Sequence, residues 1–136
     1  MLRPAARHDE QGVDADVVAV AHVAGSEPLG RGAETIACWY LRLHGWRILA
    51  RRARVPGGEV DVIARRGRTL AFVEVKARAS DDAAAIALDD WRLRRVAAAA
   101  ERLAPRYVRD GDDVRVDAIF VVPRRWPRHL ANVWQG

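Results

Sequence analysis

Residues 58–76 read GEVDVIARRGRTLAFVEVK, and this stretch decides the fold. Its apolar residues form two β-rich runs on either side of Gly67-Arg68, a pair that suits a tight turn with glycine in the first position. Runs of this length and composition around a short turn are typical of two antiparallel strands. The stretch therefore predicts a β-hairpin, and the turn sets its register.

Four charged side chains are expected to share one face of this hairpin. With Gly67-Arg68 at the centre of the turn, Asp61 lies opposite Glu74 and Glu59 lies opposite Lys76. Directly opposed Cβ atoms are only about 5 Å apart. A slip of one residue would move these groups to different faces, so the prediction depends on the turn.

Two opposed carboxylates repel each other unless one is protonated or a cation lies between them. Carboxylate oxygens on rigid strands are ligands that Mg²⁺ accepts while it keeps several waters. Lys76 is the only lysine among 23 basic residues, and an amine beside such a site can orient an attacking water. A solvated ladder, in which Glu59 pairs with Lys76 and Asp61 pairs with an arginine, remains the alternative.

The sequence around the hairpin predicts an α/β fold with a central mixed β-sheet of about five strands flanked by helices. A strand–helix–strand crossover between residues 70 and 122 would make one strand pair parallel. The segment 1–29 lacks a sustained period and is expected to be a mobile arm, with the domain over 30–136. The predicted elements are a helix at 31–44, a strand at 47–54, the hairpin, a helix at 90–104, and strands at 114–122 and 129–134.

Composition and charge limit the classes of function. The 136 residues suit one domain, and no run approaches the roughly 18 apolar residues of a membrane span. The single Cys38 indicates the cytoplasm. Neither His44 nor His129 has a Cys or His at the sequence spacing of a zinc site. From residue 30 onward the chain has 21 basic and 13 acidic residues, which favours a nucleic-acid partner. The lack of a long apolar run favours no membrane.

Gly58-Glu59-Val60-Asp61-Val62-Ile63, followed by Phe72-Val73-Glu74-Val75-Lys76-Ala77-Arg78, resembles the core motif of the YraN-like family of uncharacterised bacterial proteins. That family is similar to the restriction-endonuclease-like PD-(D/E)xK superfamily, which includes archaeal Holliday-junction resolvases. The resemblance covers about residues 30–136 and includes a helix that carries Glu34. It implies a restriction-endonuclease-like fold, with Mg²⁺ or Mn²⁺ as the cofactor.

The resemblance also implies a role for each matching residue. Asp61 and Glu74 match the metal-binding acids of the superfamily, and the backbone carbonyl of Val75 matches a third ligand. Lys76 matches the catalytic lysine. Glu34 matches an acid that completes the site, although interaction with its helix N-terminus would also explain it. Glu59 is expected to be a partner of Lys76 that supports the metal ligands, and direct binding of the metal is the alternative.

A metal-dependent nuclease acting on structured DNA is thus the leading hypothesis, with a homodimer suggested by analogy. The alternative is a non-catalytic nucleic-acid-binding or scaffold protein on the same fold. The family often has Asn at position 52 and Lys at position 92, where this chain has Arg, which leaves substrate contacts open. Candidate phosphate contacts, each with a solvated surface role as the alternative, are Arg51, Arg52, Arg54, Arg78, Arg92 and Arg95. Packing is expected, in preference to stacking on an unpaired base, for Trp91, Trp126 and Trp134.

Overall fold

A computed structural model of the chain describes residues 29–80, 82 and 87–135. Residues 1–28 of the predicted arm lie outside the described residues, whereas Leu29 and Gly30 already belong to the first helix. The elements are α1 (Leu29–Leu43), β1 (Arg47–Val55), β2 (Gly58–Arg66), β3 (Thr69–Ala77), α2 (Asp90–Leu103), a 3-10 turn (Ala104–Arg106), β4 (Asp113–Val121) and β5 (Arg128–Leu130).

The five strands form one mixed sheet in the order β1-β2-β3-β4-β5, and the two helices flank it. Strands β3 and β4 are parallel, as the crossover predicts, and the other neighbours are antiparallel. The mixed α/β architecture predicted from the sequence is confirmed. The last strand is shorter than expected because Asn132 turns the backbone at a φ of 56°. Its N–H donates to the side chain of Asp117 instead of to the backbone of a neighbouring strand.

Each face of the sheet carries its own core. Helix α1 packs Ile36, Tyr40 and Leu41 against one face, where Val62 and Val73 lie. Helix α2 begins at its N-cap Asp89 and packs its apolar stripe against the other face. In the described part of the chain, neither helix is of a length and apolarity that would take it through a bilayer.

The hairpin has the register predicted from its turn. Val62 pairs with Val73 and Arg66 pairs with Thr69, while Gly67 adopts a φ of 60°. The pairing of β2 with β3 stops at Val62 and Val73, so the two strands separate just before Asp61. This separation is a fork in the sheet.

Strand β2 changes the face it presents at the fork. Val60 packs beneath α2 and Val62 packs beneath α1, although residues two apart in a regular strand face the same side. The neighbouring strand is distorted at the same level, where Arg52 has a φ of 52°. Distortions of this kind re-aim a side chain, and here the residue that is re-aimed is Asp61.

Gly58 allows β2 to pass close to the backbone of α2. A Cβ at this position would lie 2.6 Å from the carbonyl oxygen of Arg95 and 3.0 Å from the Cβ of Ala99. We therefore predict that Gly58→Ala lowers the free energy of unfolding by about 1–3 kcal/mol, because the helix backbone must move. Urea denaturation measures this change.

Gly67→Asn is the control for this prediction. Position 67 has open space around it, and Asn tolerates a positive φ better than other side chains. Its stability should stay close to that of the parent. Equal stability of the Gly58→Ala and Gly67→Asn proteins would contradict the close approach of β2 to α2.

Candidate functional site

The fork between β2 and β3 brings Asp61 and Glu74 together. Oδ2 of Asp61 accepts a hydrogen bond of 2.8 Å from the backbone N–H of Val75. The two carboxyl groups are near enough to share a hydrogen bond when one of them is protonated. The structure thus places these two predicted ligands side by side, with Asp61 bridging the gap that the separating strands leave.

The shared hydrogen bond requires a proton, and that proton resides mainly on Asp61. Burial and the hydrogen bond to Glu74 raise the pKa of Asp61 from 3.8 to about 7, and the charge of Glu34 adds to the effect. Burial alone would raise the pKa of Glu74 as well. Bonds from Asp61 and Lys76, with the charges of Lys76 and Arg92, instead lower the pKa of Glu74 below its ordinary value. The pair is therefore one neutral acid beside one carboxylate.

Two cations hold that carboxylate. Nζ of Lys76 lies 2.8 Å and Nε of Arg92 lies 3.1 Å from the same oxygen, Oε2 of Glu74. Glu74 is 2% exposed and Lys76 is 9% exposed. A carboxylate this buried needs paired charges, because desolvation of an unpaired ion costs several kcal/mol.

Glu59 does not contact Lys76 as the hairpin register predicted. The β2–β3 ladder ends before this level, and the carboxylate of Glu59 instead pairs with Nε of Arg54 on β1. Both side chains of this pair are well exposed, so it contributes little stability. The fork is the physical reason, since opposed side chains meet only where strands remain paired.

Glu34 reaches the site from α1. It is the sixth residue of the helix and lies beyond the first turn, which contains no acid, so interaction with the helix N-terminus does not explain it. Its Oε1 lies 2.8 Å from Nε of Arg52 and 3.8 Å from a terminal nitrogen of Arg51. Arg52 has a left-handed backbone conformation, which Asn adopts more readily than Arg.

Most of the predicted phosphate contacts are already engaged with acids of the site. Arg51 and Arg52 pair with Glu34, Arg54 pairs with Glu59, and Arg92 pairs with Glu74. The other two lie against rings, with Arg78 over Phe120 and Arg95 over Trp91. The pairing of Arg92 with Glu74 has no signal in the sequence, because 18 residues and a separate element lie between them.

The acid pair fits a small divalent cation that keeps most of its water shell. The described residues contain no group of three or more His, Cys, Asp or Glu able to hold a metal ion. An ion would therefore depend on Asp61, Glu74 and water, a set that suits Mg²⁺. The Val75 carbonyl as a further ligand stays a prediction, since the structure records only its N–H bound to Asp61.

A basic concave surface lies beyond the carboxyl ends of β3 and β4. The parallel register pairs Lys76 with Phe120 and Ala77 with Val121, so both chains leave the sheet at the same edge. The cavity there has a volume of about 460 Å³ and is lined by Ala79, Ser80, Val122, Pro123, Arg124 and Arg125. Two arginines close to the Lys76 strand suit an anionic ligand.

A second buried ionic cluster lies on β4. Asp117 pairs with Arg115 at 2.9 Å, the salt bridge that their position on one strand face indicates, and Nε2 of His129 lies 2.7 Å from Asp117. Burial would raise the pKa of Asp117, but bonds from His129, Arg115 and the Asn132 N–H lower it. The cluster ties β5 to β4, and His129 could not be assigned to it from local sequence spacing.

Comparisons with known proteins identify relatives over most of the chain. A profile of the Uncharacterised protein family UPF0102 matches residues 33–121. A UPF0102 protein of Sphingopyxis alaskensis is 60% identical over 112 residues, covering 82% of this chain and 97% of its own length. Another from Rhizorhabdus wittichii is 58% identical over 113 residues, covering 83% and 96%. A third, from Parvibaculum lavamentivorans, is 54% identical and covers 79% and 81%.

The shared proton predicts a pH dependence of stability that Asp61→Asn removes. The pKa of Asp61 in the folded protein, about 7, lies above its value of 3.8 in the unfolded chain. The stabilisation from this proton is therefore complete below about pH 3.8 and is lost as the pH rises through about 7. The amide of the variant can donate to Glu74 and accept from Val75 at every pH. The stability of Asp61→Asn relative to the parent should therefore increase up to about pH 7 and then level off.

Urea denaturation in the presence of a chelator, between about pH 5 and 8, measures this difference. Glu59→Gln is the matched control, because it removes a carboxylate from the same strand that pairs with an exposed arginine. A flat difference for Asp61→Asn would show that Asp61 and Glu74 do not share a proton.

Proposed function

The chain belongs to the uncharacterised protein family UPF0102, and from its acid cluster we propose that it is a Mg²⁺- or Mn²⁺-dependent nuclease acting on structured DNA. The observation that carries this proposal is the pair formed by the half-buried Asp61 and the buried Glu74, beside Lys76 at the β2–β3 fork. Ionisable groups with strongly shifted pKa values cluster at functional sites, and Asp61 is such a group. Phosphodiester hydrolysis uses this set of groups.

Asp61 and Glu74 would hold the divalent cation, with Asp61 giving up its proton on binding. The bound ion would supply Lewis-acid polarisation of the phosphate and of the attacking water. Glu74 already lacks a proton in the metal-free protein, so only one proton has to leave. Glu34 lies near enough to influence the pKa of Asp61, which suits an acid that completes the site.

Lys76 would orient the attacking water and stabilise the charge that develops on the phosphate. Its amine contacts Glu74 in the metal-free protein, and binding of the ion by that carboxylate would weaken the contact. An ammonium is compact and loses a proton more readily than a guanidinium, which stays protonated. The same position filled by Arg would keep the charge but not these properties.

The surrounding charge supports a polyanionic substrate. Arg51, Arg52 and Arg92 border the acids, and Arg124 and Arg125 line the cavity beyond Lys76. Contacts of this type position a nucleic-acid backbone without reading its sequence. The choice of DNA, its branched structure and a homodimeric assembly come from the resemblance to junction resolvases and are part of the proposal.

One observation favours the alternative, a nucleic-acid-binding or scaffold protein without turnover. Three acids of the site are each paired with a cation of the protein: Glu34 with Arg52, Glu59 with Arg54, and Glu74 with Lys76. Asp61 is neutral below about pH 7. Such a network holds together without a metal ion, so a purely structural role remains to be tested against catalysis.

Metal binding is the first test. We predict that Mn²⁺ affinity rises with pH up to about 7 and then levels off, because Asp61 must lose its proton. Isothermal titration below this pH should also show proton release, seen as a binding enthalpy that changes with the ionisation enthalpy of the buffer.

Asp61→Asn and Glu74→Gln should each lower the affinity for Mn²⁺ by at least ~10–100-fold, which is the effect of removing a residue that only supports a metal ligand. Glu59→Gln is expected to bind nearly as the parent does, since Arg54 engages that carboxylate. Unchanged affinity in Asp61→Asn would place the ion elsewhere.

Cleavage is the second test. We predict that the purified protein cuts branched, nicked or single-stranded DNA only with Mg²⁺ or Mn²⁺. Lys76→Ala and Lys76→Arg should each reduce the rate by at least about 100-fold, the lower range of general acid–base effects. Arg106→Ala, which removes an exposed positive charge after α2, is the charge-matched control and should cleave like the parent.

The outcomes separate the two hypotheses. DNA binding without metal-dependent cleavage of any substrate would favour the non-catalytic alternative. Full activity of Lys76→Arg would show that charge alone is required at position 76. Cleavage that is unchanged in both Lys76→Ala and Asp61→Ala would mean that the activity does not come from this site.

A further inference from the structure

Trp91 differs from the other tryptophans whose packing was predicted. Trp126 packs against the α1 core and Trp134 against the α2 core, as expected. Trp91 instead is 63% exposed, so the prediction that it packs into the core is wrong. It lies in the first turn of α2, with its backbone N–H bound to Oδ1 of Asp89. Most of the Trp91 surface is therefore accessible to a ligand.

The Trp91 ring lies against a cation of the same helix. The guanidinium of Arg95, one helical turn further, lies 5.2 Å from the ring centroid, within the range of a cation–π contact. The residue keeps most of its surface in solvent despite this contact. Trp91 and Arg95 thus form a flat surface that combines an aromatic ring with a positive charge.

Helix α2 links this surface to the acid cluster through the residue that follows Trp91. The next residue, Arg92, donates from Nε to Glu74 across 3.1 Å. Arg92, Arg94 and Arg95 follow Trp91 within four residues, against Asp89 and Asp90. The carboxylate of Asp89 caps the helix. The surroundings of the ring therefore carry net positive charge, which suits an aromatic group that is attached to an anionic backbone.

From this geometry we infer that Trp91, backed by Arg95, is a stacking platform for one unpaired nucleobase of the strand whose phosphate lies at Asp61 and Glu74. Base faces inside a uniform duplex are covered by neighbouring pairs, whereas single strands, flaps and branch points expose them. The inference rests on the proposed function and deepens it. The substrate class becomes a nucleic acid with an unpaired nucleotide beside the scissile phosphate.

Binding without metal tests the platform separately from cleavage. Fluorescence anisotropy with a chelator present would compare a labelled single strand, a forked duplex with a flap and a blunt duplex. Trp91→Ala should lower the affinity for the single strand and for the fork by about tenfold, within the range for loss of one stacked base. Its affinity for the blunt duplex should fall by less than about twofold. Trp91→Tyr should recover most of the affinity, because a tyrosine ring also stacks.

Trp39→Ala is the matched control. Trp39 is 47% exposed on α1, on the opposite side of the sheet, and its removal should leave all three affinities unchanged. Circular dichroism should show that Trp91→Ala keeps the helix content of the parent. The exposed position of Trp91 makes the variant a mild change to the fold.

Several results would overturn the platform: no change in Trp91→Ala, equal weakening of single strand and blunt duplex, or no recovery by Trp91→Tyr. A parent protein that binds none of the three nucleic acids would overturn it together with the proposed function. Stacking-dependent binding without metal-dependent cleavage would leave the platform standing and reject the nuclease. Metal-dependent cleavage that Trp91→Ala leaves unchanged would support the nuclease and reject the platform.

Discussion

A single hydrogen bond, from the N–H of Val75 to Oδ2 of Asp61, takes over where the ladder between β2 and β3 stops, and the candidate site depends on it. The bond holds the carboxyl group of Asp61 at the level of Glu74 while the two strands diverge. The kink that makes this geometry available runs across two strands, through Asp61 on β2 and the left-handed Arg52 on β1. A regular hairpin would leave no gap for a side chain to fill.

Buried acids at this fork would destabilise the sheet without the helices on each side of it. Helix α1 brings Glu34, which pairs with Arg52, and helix α2 brings Arg92, which pairs with Glu74 beside Lys76. Gly58 lets β2 lie against the backbone of α2, so the position of Arg92 follows from that close approach. The site is therefore assembled from the sheet and both helices, and each helix contributes one partner of an ion pair with a strand.

Several expectations from the sequence were met for local reasons. The Gly67-Arg68 turn determines the register of the hairpin, which is why the Val62–Val73 pairing could be predicted. The period of α2 and its Asp89 cap depend on residues within one or two turns of each other, which is why a helix at 90–104 could be predicted. The opposed positions of Asp61 and Glu74 follow from the same turn, although their contact arises by a different route from ladder pairing.

Local spacing was enough to predict the element order and the mixed sheet. The motif was enough to identify the family, the candidate metal-binding acids and the candidate catalytic lysine. Only the tertiary structure decided which charges touch. It paired Glu59 with Arg54 instead of Lys76, assigned Arg92 to Glu74, and left Trp91 in solvent. Contacts of this kind depend on where strands separate and how helices pack across them, and such distances between remote residues leave no periodic trace in the chain.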